Sequence, residues 1–147
     1  MVSEKIIRNR LERLEEALRR LESKKNVSLD EFLENWEIHS AILREFQVAI
    51  EACIDIGTHI ISEMGWKSPE TYKDVAEILS KHHVISKDFK DVFKKMISFR
   101  NIIVHEYLLL DLKAVYENLK KLDDFRKFAK FIEKFLINQN KKSVKMR

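Results

Sequence analysis

Helix breakers are nearly absent from this chain. Across 147 residues there are two glycines and one proline, and apolar side chains recur at three- and four-residue steps between charges. A strand needs alternation of two, and a sheet needs turns rich in Gly, Pro, Asn and Asp, so this pattern predicts an all-α chain. Charged residues make up 35% and hydrophobic ones 45%, a balance suited to amphipathic helices joined by short turns. The length fits one domain with a core large enough to need no disulfide or structural metal. The expectation is an antiparallel helical bundle of about five helices over 1–138, followed by a basic, flexible tail over 139–147.

The periodicity places the elements. Ile6, Ile7, Leu11, Leu14, Leu18 and Leu21 form one apolar stripe through about Glu4 to Ser23. Ser28-Leu29-Asp30-Glu31 matches a capping box, where serine hydroxyl and glutamate carboxylate each take an orphan backbone donor. A short helix starts there and leads, near Trp36, into a long buried one that contains FQVAIEACIDIGTHII and ends near Met64. Gly65 is a C′ stop. Ser68 as N-cap with Pro69 at the first helical position opens a third helix, about Glu70 to Lys81, whose end His82 and His83 cap. Ser86 caps a fourth, which carries Phe89, Val92, Phe93, Met96, Ile97 and the run Phe99 to Val104. Asp111 opens a fifth, with Leu112, Val115, Tyr116, Leu119, Leu122, Phe125, Phe128, Ile132 and Phe135 on its inner side.

Several function classes are disfavoured. The lone Cys53, between Ala52 and Ile54, reads as a core thiol and cannot form an internal disulfide. A reducing, cytoplasmic setting fits. The charged opening SEKIIRNRLERLEE does not read as a signal peptide, and no apolar run approaches the roughly 18 residues of a membrane helix. The formal charge of +4 is mildly favourable to a polyanion, but much of it sits in KKSVKMR. A frayed, solvated terminus is preferred for that segment over a dedicated RNA-binding arm. Heavy use of Lys, Glu and Arg with two Gln suits a heat-tolerant source.

Polar chemistry concentrates in FRNIIVHEY, which sets Arg100, Asn101, His105, Glu106 and Tyr107 around Ile102-Ile103-Val104. On one continuous helix at 100° per residue, Arg100 and Tyr107 fall within about 20° of each other, and Asn101 and His105 lie on a neighbouring strip. Arg100 and His105 diverge by about 140°, too far to aim at one phosphate from a regular helix. Either the helix distorts near His105 or two copies of the motif face each other across a symmetric interface. Taken alone, so short a motif reads as a surface ion-pair arginine and a histidine at a helix C-terminus.

The run Arg100, four residues, His105, one residue, Tyr107 resembles the signature of the HEPN superfamily, in its HepT-like branch. The charged first helix, the FQVAIEACIDIGTHII run, the SPETYKDVAEIL segment, and FRNIIVHEY followed by Asp111 and Val115-Tyr116 are similar to HepT in order and spacing, from about Glu4 to Leu136. The resemblance implies a HEPN-like helical homodimer that cleaves RNA at the dimer interface without a metal or other cofactor: an endoribonuclease toxin of a type II toxin–antitoxin system. It assigns catalysis to Arg100 and His105; Asn101 reads, from its residue type and place, as orienting a neighbour or the backbone rather than doing chemistry. The resemblance also implies a cognate minimal nucleotidyltransferase as antitoxin, which silences the toxin by nucleotidylating Tyr107. The residue types suit such a role, because His moves protons near neutral pH and Arg can hold a phosphorane by two parallel bonds. Leu108-Leu109-Leu110 is more apolar than the pattern, and exposure there would suit a partner surface, either a second protomer or the antitoxin.

A second polar feature lies on the long buried helix. Glu51, Asp55 and His59 step by four along a face expected to be largely buried, and buried charges need partners. Arg100 is the candidate counter-ion for Glu51 and Asp55, which would then support the site. A structural ladder within the helix is the competing reading. Trp36, Trp66 and Tyr72 read as packing residues, Lys94 and Lys95 as solvated lysines ahead of a phosphate-contacting role, and His39 as without function. The alternative from another class is a non-catalytic helical subunit that binds substrate or partner for a nucleotidyltransferase, and it leaves the joint presence of Arg100 and His105 without a reason.

Overall fold

The computed structural model describes residues 3–145 as seven α-helices and one 3₁₀ turn, with no strand among the described residues. They are α1 (Glu4–Glu22), α2 (Leu29–Glu34), α3 (Trp36–Glu63), α4 (Tyr72–Lys81), α5 (Lys87–His105), α6 (Leu112–Asn118) and α7 (Asp123–Lys145), the 3₁₀ turn (Tyr107–Leu109) standing between α5 and α6. The expected all-α bundle is what forms. No helix among the described residues is long and apolar enough to cross a membrane.

α3 is the central element because its sequence is apolar nearly all round. Ala49, Ile50, Ala52, Cys53, Ile54 and Ile56 are all buried, where an amphipathic surface helix would hide only every third or fourth residue. α1 lays the stripe Ile7, Leu11, Leu14, Leu18 and Leu21 against it, and α4 and α5 pack on other sides. Gly57 permits the close approach of α4. A Cβ there would stand 2.5 Å from Val75 Cγ1 and 3.0 Å from Leu79 Cδ1. An aromatic seam joins α3, α5 and α7, with Phe46 against Phe99 at 5.4 Å and Phe93 against Phe128 at 5.1 Å between centroids. Phe93 and Phe128 are wholly buried, and truncating either to Ala would cost about 3–5 kcal/mol.

Local hydrogen bonds explain the boundaries. Ser28 accepts from the Glu31 N–H at 3.1 Å, and the Asn35 side chain caps α3 through the Ile38 N–H at 3.2 Å, dividing the short helix from the long one. α3 ends as expected at Gly65, whose φ of 70° allows the Trp66 N–H to reach back to the Ile61 carbonyl at 3.1 Å. α4 ends the same way without a glycine. His83 takes φ of 62°, and the Val84 N–H bonds the Leu79 carbonyl at 2.9 Å.

Three expectations are corrected. α4 starts at Tyr72 rather than Glu70, because Thr71 and Asp74 make a reciprocal capping box that prevails over Ser68-Pro69. The expected fifth helix is two: the chain turns at Leu119–Leu122, and both leucines remain buried through the turn. α7 continues through the expected tail as helix to Lys145, while residues 146 and 147 of that tail lie outside the described residues.

His39 and Cys53 are both core residues. His39 Nδ1 lies 3.0 Å from the Phe32 carbonyl oxygen, and its ring meets Phe32 edge-on. Cys53 is fully enclosed, and burial pushes its thiol pKa far up.

Candidate active site

Arg100 sits in the last third of α5, where that helix crosses α3, and its side chain is only 11% exposed. Three groups fix it. Its Nε donates to Glu51 Oε2 at 3.0 Å, its Nη1 donates to Asn101 Oδ1 at 3.1 Å, and its guanidinium carbon lies 4.9 Å from the centroid of the Tyr72 ring. Glu51 Oε2 also accepts from Gln47 Nε2 at 3.3 Å, which orients the carboxylate from one turn earlier on α3. Arg100 Nη2 has no hydrogen-bond partner among the described residues. The arrangement presents a planar cation held through Nε and Nη1, with the Nη2 nitrogen and its two N–H donors free, the geometry that suits a phosphate or phosphorane oxygen.

The predicted salt bridge between Arg100 and Glu51 is therefore present, and Asn101 does orient a neighbour. Asp55 does not share that role. It is exposed and has no bond to Arg100, although it lines, with Arg13, Glu51 and Tyr72, a shallow cleft of about 260 Å³ beside the guanidinium. The strip expected to be largely buried is so only in part, since α3 turns Asp55 outward between α1 and α4. His59 Nε2 lies 3.5 Å from Glu63 Oε1 without a hydrogen bond and is enclosed, so it belongs to the end of α3 rather than to the site.

Tyr72 is the participant that sequence reasoning missed. It is the first residue of α4, 47% exposed, on the helix that packs close against α3 at Gly57. Cation–π contact with a planar guanidinium steadies Arg100 without consuming a donor. Its spacing from the motif offers no signal; a clue was its place at the start of a helix that packs beside Glu51.

His105 and Tyr107 lie elsewhere. α5 stays regular through His105, its last bond running from the Glu106 N–H to the Ile102 carbonyl at 3.0 Å. Hence the five-residue separation leaves Arg100 largely buried against α3 while His105 is exposed at the helix end, and the chain does not bend to unite them. The shared face of Arg100 and Tyr107 is corrected: Glu106 adopts φ −134° and ψ 39°, and Tyr107 begins a 3₁₀ turn, so helical counting stops before it.

The expected exposure beyond Tyr107 is present. Leu108 is 97% and Leu109 75% exposed, beside Tyr107 at 48% and Val104 at 37%, whereas Leu110 packs against the core. Trp36, expected to pack, is also exposed. Trp66 does pack, stacking on His82. Lys94 pairs with Glu77. Among the described residues no three His, Cys, Asp or Glu side chains gather as metal ligands.

Comparison with known proteins places this geometry in context. Residues 14–134 match the family described as Ribonuclease HepT-like. The mRNA nuclease HepT of Shewanella oneidensis is 31% identical over 104 residues, covering 70% of this chain and 78% of that protein. The tRNA nuclease HepT of Aphanizomenon flos-aquae is 29% identical over 135 residues and 90% of each chain. Among solved structures, the tri-AMPylated Shewanella oneidensis HEPN toxin in complex with MNT antitoxin is similar, with a TM-score of 0.82 and 27% identity, over 89% of this chain and 98% of that one. YutE of Bacillus subtilis, a cytosolic protein, gives a TM-score of 0.80 at 25% identity, over 94% and 93%.

Proposed function

This chain belongs to the ribonuclease HepT-like family, and from that premise we propose that it is a metal-independent endoribonuclease toxin whose working cleft is shared by two protomers. The observation that carries the reading is Arg100, held by Glu51, Asn101 and Tyr72 with its Nη2 nitrogen free. So costly an arrangement of a largely buried cation suits a group that must meet a phosphate in one orientation. His105, on another face of the same regular helix, completes the site from the facing copy. A two-fold interface along the C-terminal part of α5 puts the Arg100 of one protomer near the His105 of the other and covers Val104, Leu108 or Leu109.

The chemistry follows from these two residues. The imidazole of His105 moves a proton from a ribose 2′-hydroxyl or to the leaving oxygen, and Arg100 stabilises the charge that builds on phosphorus-bound oxygens as the phosphodiester breaks. Asn101 and Glu51 are positioning residues.

Regulation follows the similar toxin, which is tri-AMPylated in its complex with MNT antitoxin. In this chain the acceptor is Tyr107, half-exposed on its 3₁₀ turn and next to the two solvent-facing leucines that a nucleotidyltransferase can grip. Each added nucleotide brings phosphate charge that competes with RNA for Arg100. A cytosolic location, as described for YutE, fits a toxin that acts on cellular RNA.

The test is cleavage of RNA by purified protein in excess chelator, beside Arg100→Ala and His105→Ala. Activity that survives chelation and falls by about a hundredfold or more in each variant is expected. Activity abolished by chelator, or unaffected by both substitutions, contradicts the proposal. Incubation with the cognate nucleotidyltransferase and ATP should shift the intact mass of the chain but not that of Tyr107→Phe.

A further inference from the structure

Far from Arg100, where α3 and α4 end, α5 begins and α7 passes, lies a groove of about 810 Å³. Lys87, on its rim, and Arg100 are thirteen residues apart on α5, about 20 Å at 1.5 Å per residue. The groove therefore cannot touch the phosphate that Arg100 holds.

Its lining is strongly basic. Lys81, Lys87, Lys90, Lys134 and Lys142 face one carboxylate, Glu77. That carboxylate is already engaged by Lys94 and by Lys90 at 3.7 Å. The Lys94 hydrogen bond, the largest effect, holds its pKa below the ordinary glutamate value. Lys81, Lys87, Lys134 and Lys142 pair with no carboxylate among the described residues. They come from α4, α5 and α7, so they are spread to meet a succession of anions rather than one.

An aromatic platform stands in the same groove. The rings of Trp66 and His82 lie parallel, 3.8 Å apart with 3° between planes, Trp66 half-buried and His82 exposed. Their pairing is built into the fold, since Trp66 follows the Gly65 stop of α3 and His82 caps α4. Lysines that track a phosphate backbone, together with a flat aromatic surface, are the elements of single-stranded nucleic-acid binding.

We propose that this groove is a second RNA-binding surface, which grips the backbone of a single-stranded segment of the substrate while one base stacks on the Trp66–His82 pair, several nucleotides from the bond that is cut. The inference rests on the ribonuclease reading above and extends it to substrate choice. RNAs long enough to span both places are held at two points, while very short ones are held only at the cleft.

The experiment is fluorescence anisotropy of a labelled single-stranded oligouridylate with the full chain, titrated at several salt concentrations in a His105→Ala background that blocks cleavage. Combined Lys87→Ala, Lys134→Ala and Lys142→Ala should weaken binding about a hundredfold near 0.1 M salt and reduce the magnitude of the slope of log K against log salt by about two, at roughly 0.7 per lost phosphate contact. The triple Lys→Arg variant should keep both values, and circular dichroism should be the same for all three proteins. In a Trp36→Phe chain, RNA should quench the remaining Trp66 emission. An unchanged affinity and salt slope in the alanine variant overturns the proposal, as does loss of antitoxin binding with RNA binding intact, which would make the groove a protein-docking face. Unquenched Trp66 at saturation overturns the stacking contact. Because binding is read apart from cleavage, the two readings fail separately: binding through the lysines, together with no RNA cleavage by the chain that keeps His105, sinks the ribonuclease reading alone.

Discussion

Glu51→Ala removes the acceptor that holds Arg100 Nε at 3.0 Å and the contact from Gln47 at 3.3 Å. A hydrogen bond to a charged group contributes about 1.5–3 kcal/mol. Glu51 is 34% exposed, which places its bond near the lower end, about 1.5–2 kcal/mol. Arg100 can swing toward solvent when released, so the larger penalty of an unpaired buried charge, about 3–5 kcal/mol, is avoided. For a domain of this size the unfolding midpoint should fall by about 3–8 °C. The functional loss should exceed the loss of stability. A guanidinium no longer fixed to within a few tenths of an ångström costs about ten- to a hundredfold in kcat, with KM moving less. Glu51→Gln, which keeps an acceptor oxygen, should lie between. The assays are calorimetry and initial rates at saturating RNA for Glu51→Ala, Arg100→Ala and the double variant. Strongly non-additive rates are expected, since Glu51 acts through Arg100. Additive effects, or a Glu51→Ala chain with parental kcat, would refute the positioning role.

Other expectations concern the scaffold. Gly57→Ala drives a methyl into Val75 Cγ1 at 2.5 Å and should cost about 1–3 kcal/mol in urea denaturation; a neutral effect would show that α4 is free to move off α3. Cys53, enclosed and with its thiol pKa raised by burial, should react with iodoacetamide only as fast as the chain unfolds, and rapid alkylation of the native protein would contradict the packing of α3. The Asp74 carboxylate is held below its ordinary pKa, first by the Glu70 N–H at 2.9 Å and then by the Thr71 N–H at 3.2 Å. A depressed folded-state pKa stabilises above the unfolded value, about 3.9, and that contribution is lost as pH falls through the lower folded value. The stability gap between the parent chain and Asp74→Ala should therefore be full at pH 7 and shrink in acid; a gap independent of pH would exclude a role for the ionised carboxylate.

The elements that could be read from the sequence are those whose signals are local. Gly65 stops α3 because only a C′ residue with positive φ allows the Trp66 N–H to turn back, and glycine adopts that at no cost. The start of α4 is ambiguous in the sequence because Ser68-Pro69 and Thr71–Asp74 both satisfy capping rules, and it is the reciprocal box at Thr71 and Asp74 that forms. The turn between α6 and α7 holds neither Gly nor Pro, and Leu119, Leu122 and Phe125 keep helical spacing straight through it. The end of α5 is hidden for the same reason, and so Tyr107 was counted onto the wrong face. Within the site, the Glu51–Arg100 pair was accessible because a charge on an apolar helix demands a counter-ion. Tyr72 was not, since its meeting with Arg100 depends on how α4 packs against α3.

The central claim is that Arg100 and His105 work together from different copies of one chain. Mixing Arg100→Ala with His105→Ala protein after separate purification, under conditions that exchange protomers, tests it directly. With free exchange half of the dimers are mixed, and each carries one intact pair where the parent has two, so about a quarter of the parental RNase rate should return from two inactive components. If mixed dimers form, as native mass spectrometry can establish, and no activity returns, the shared cleft is wrong.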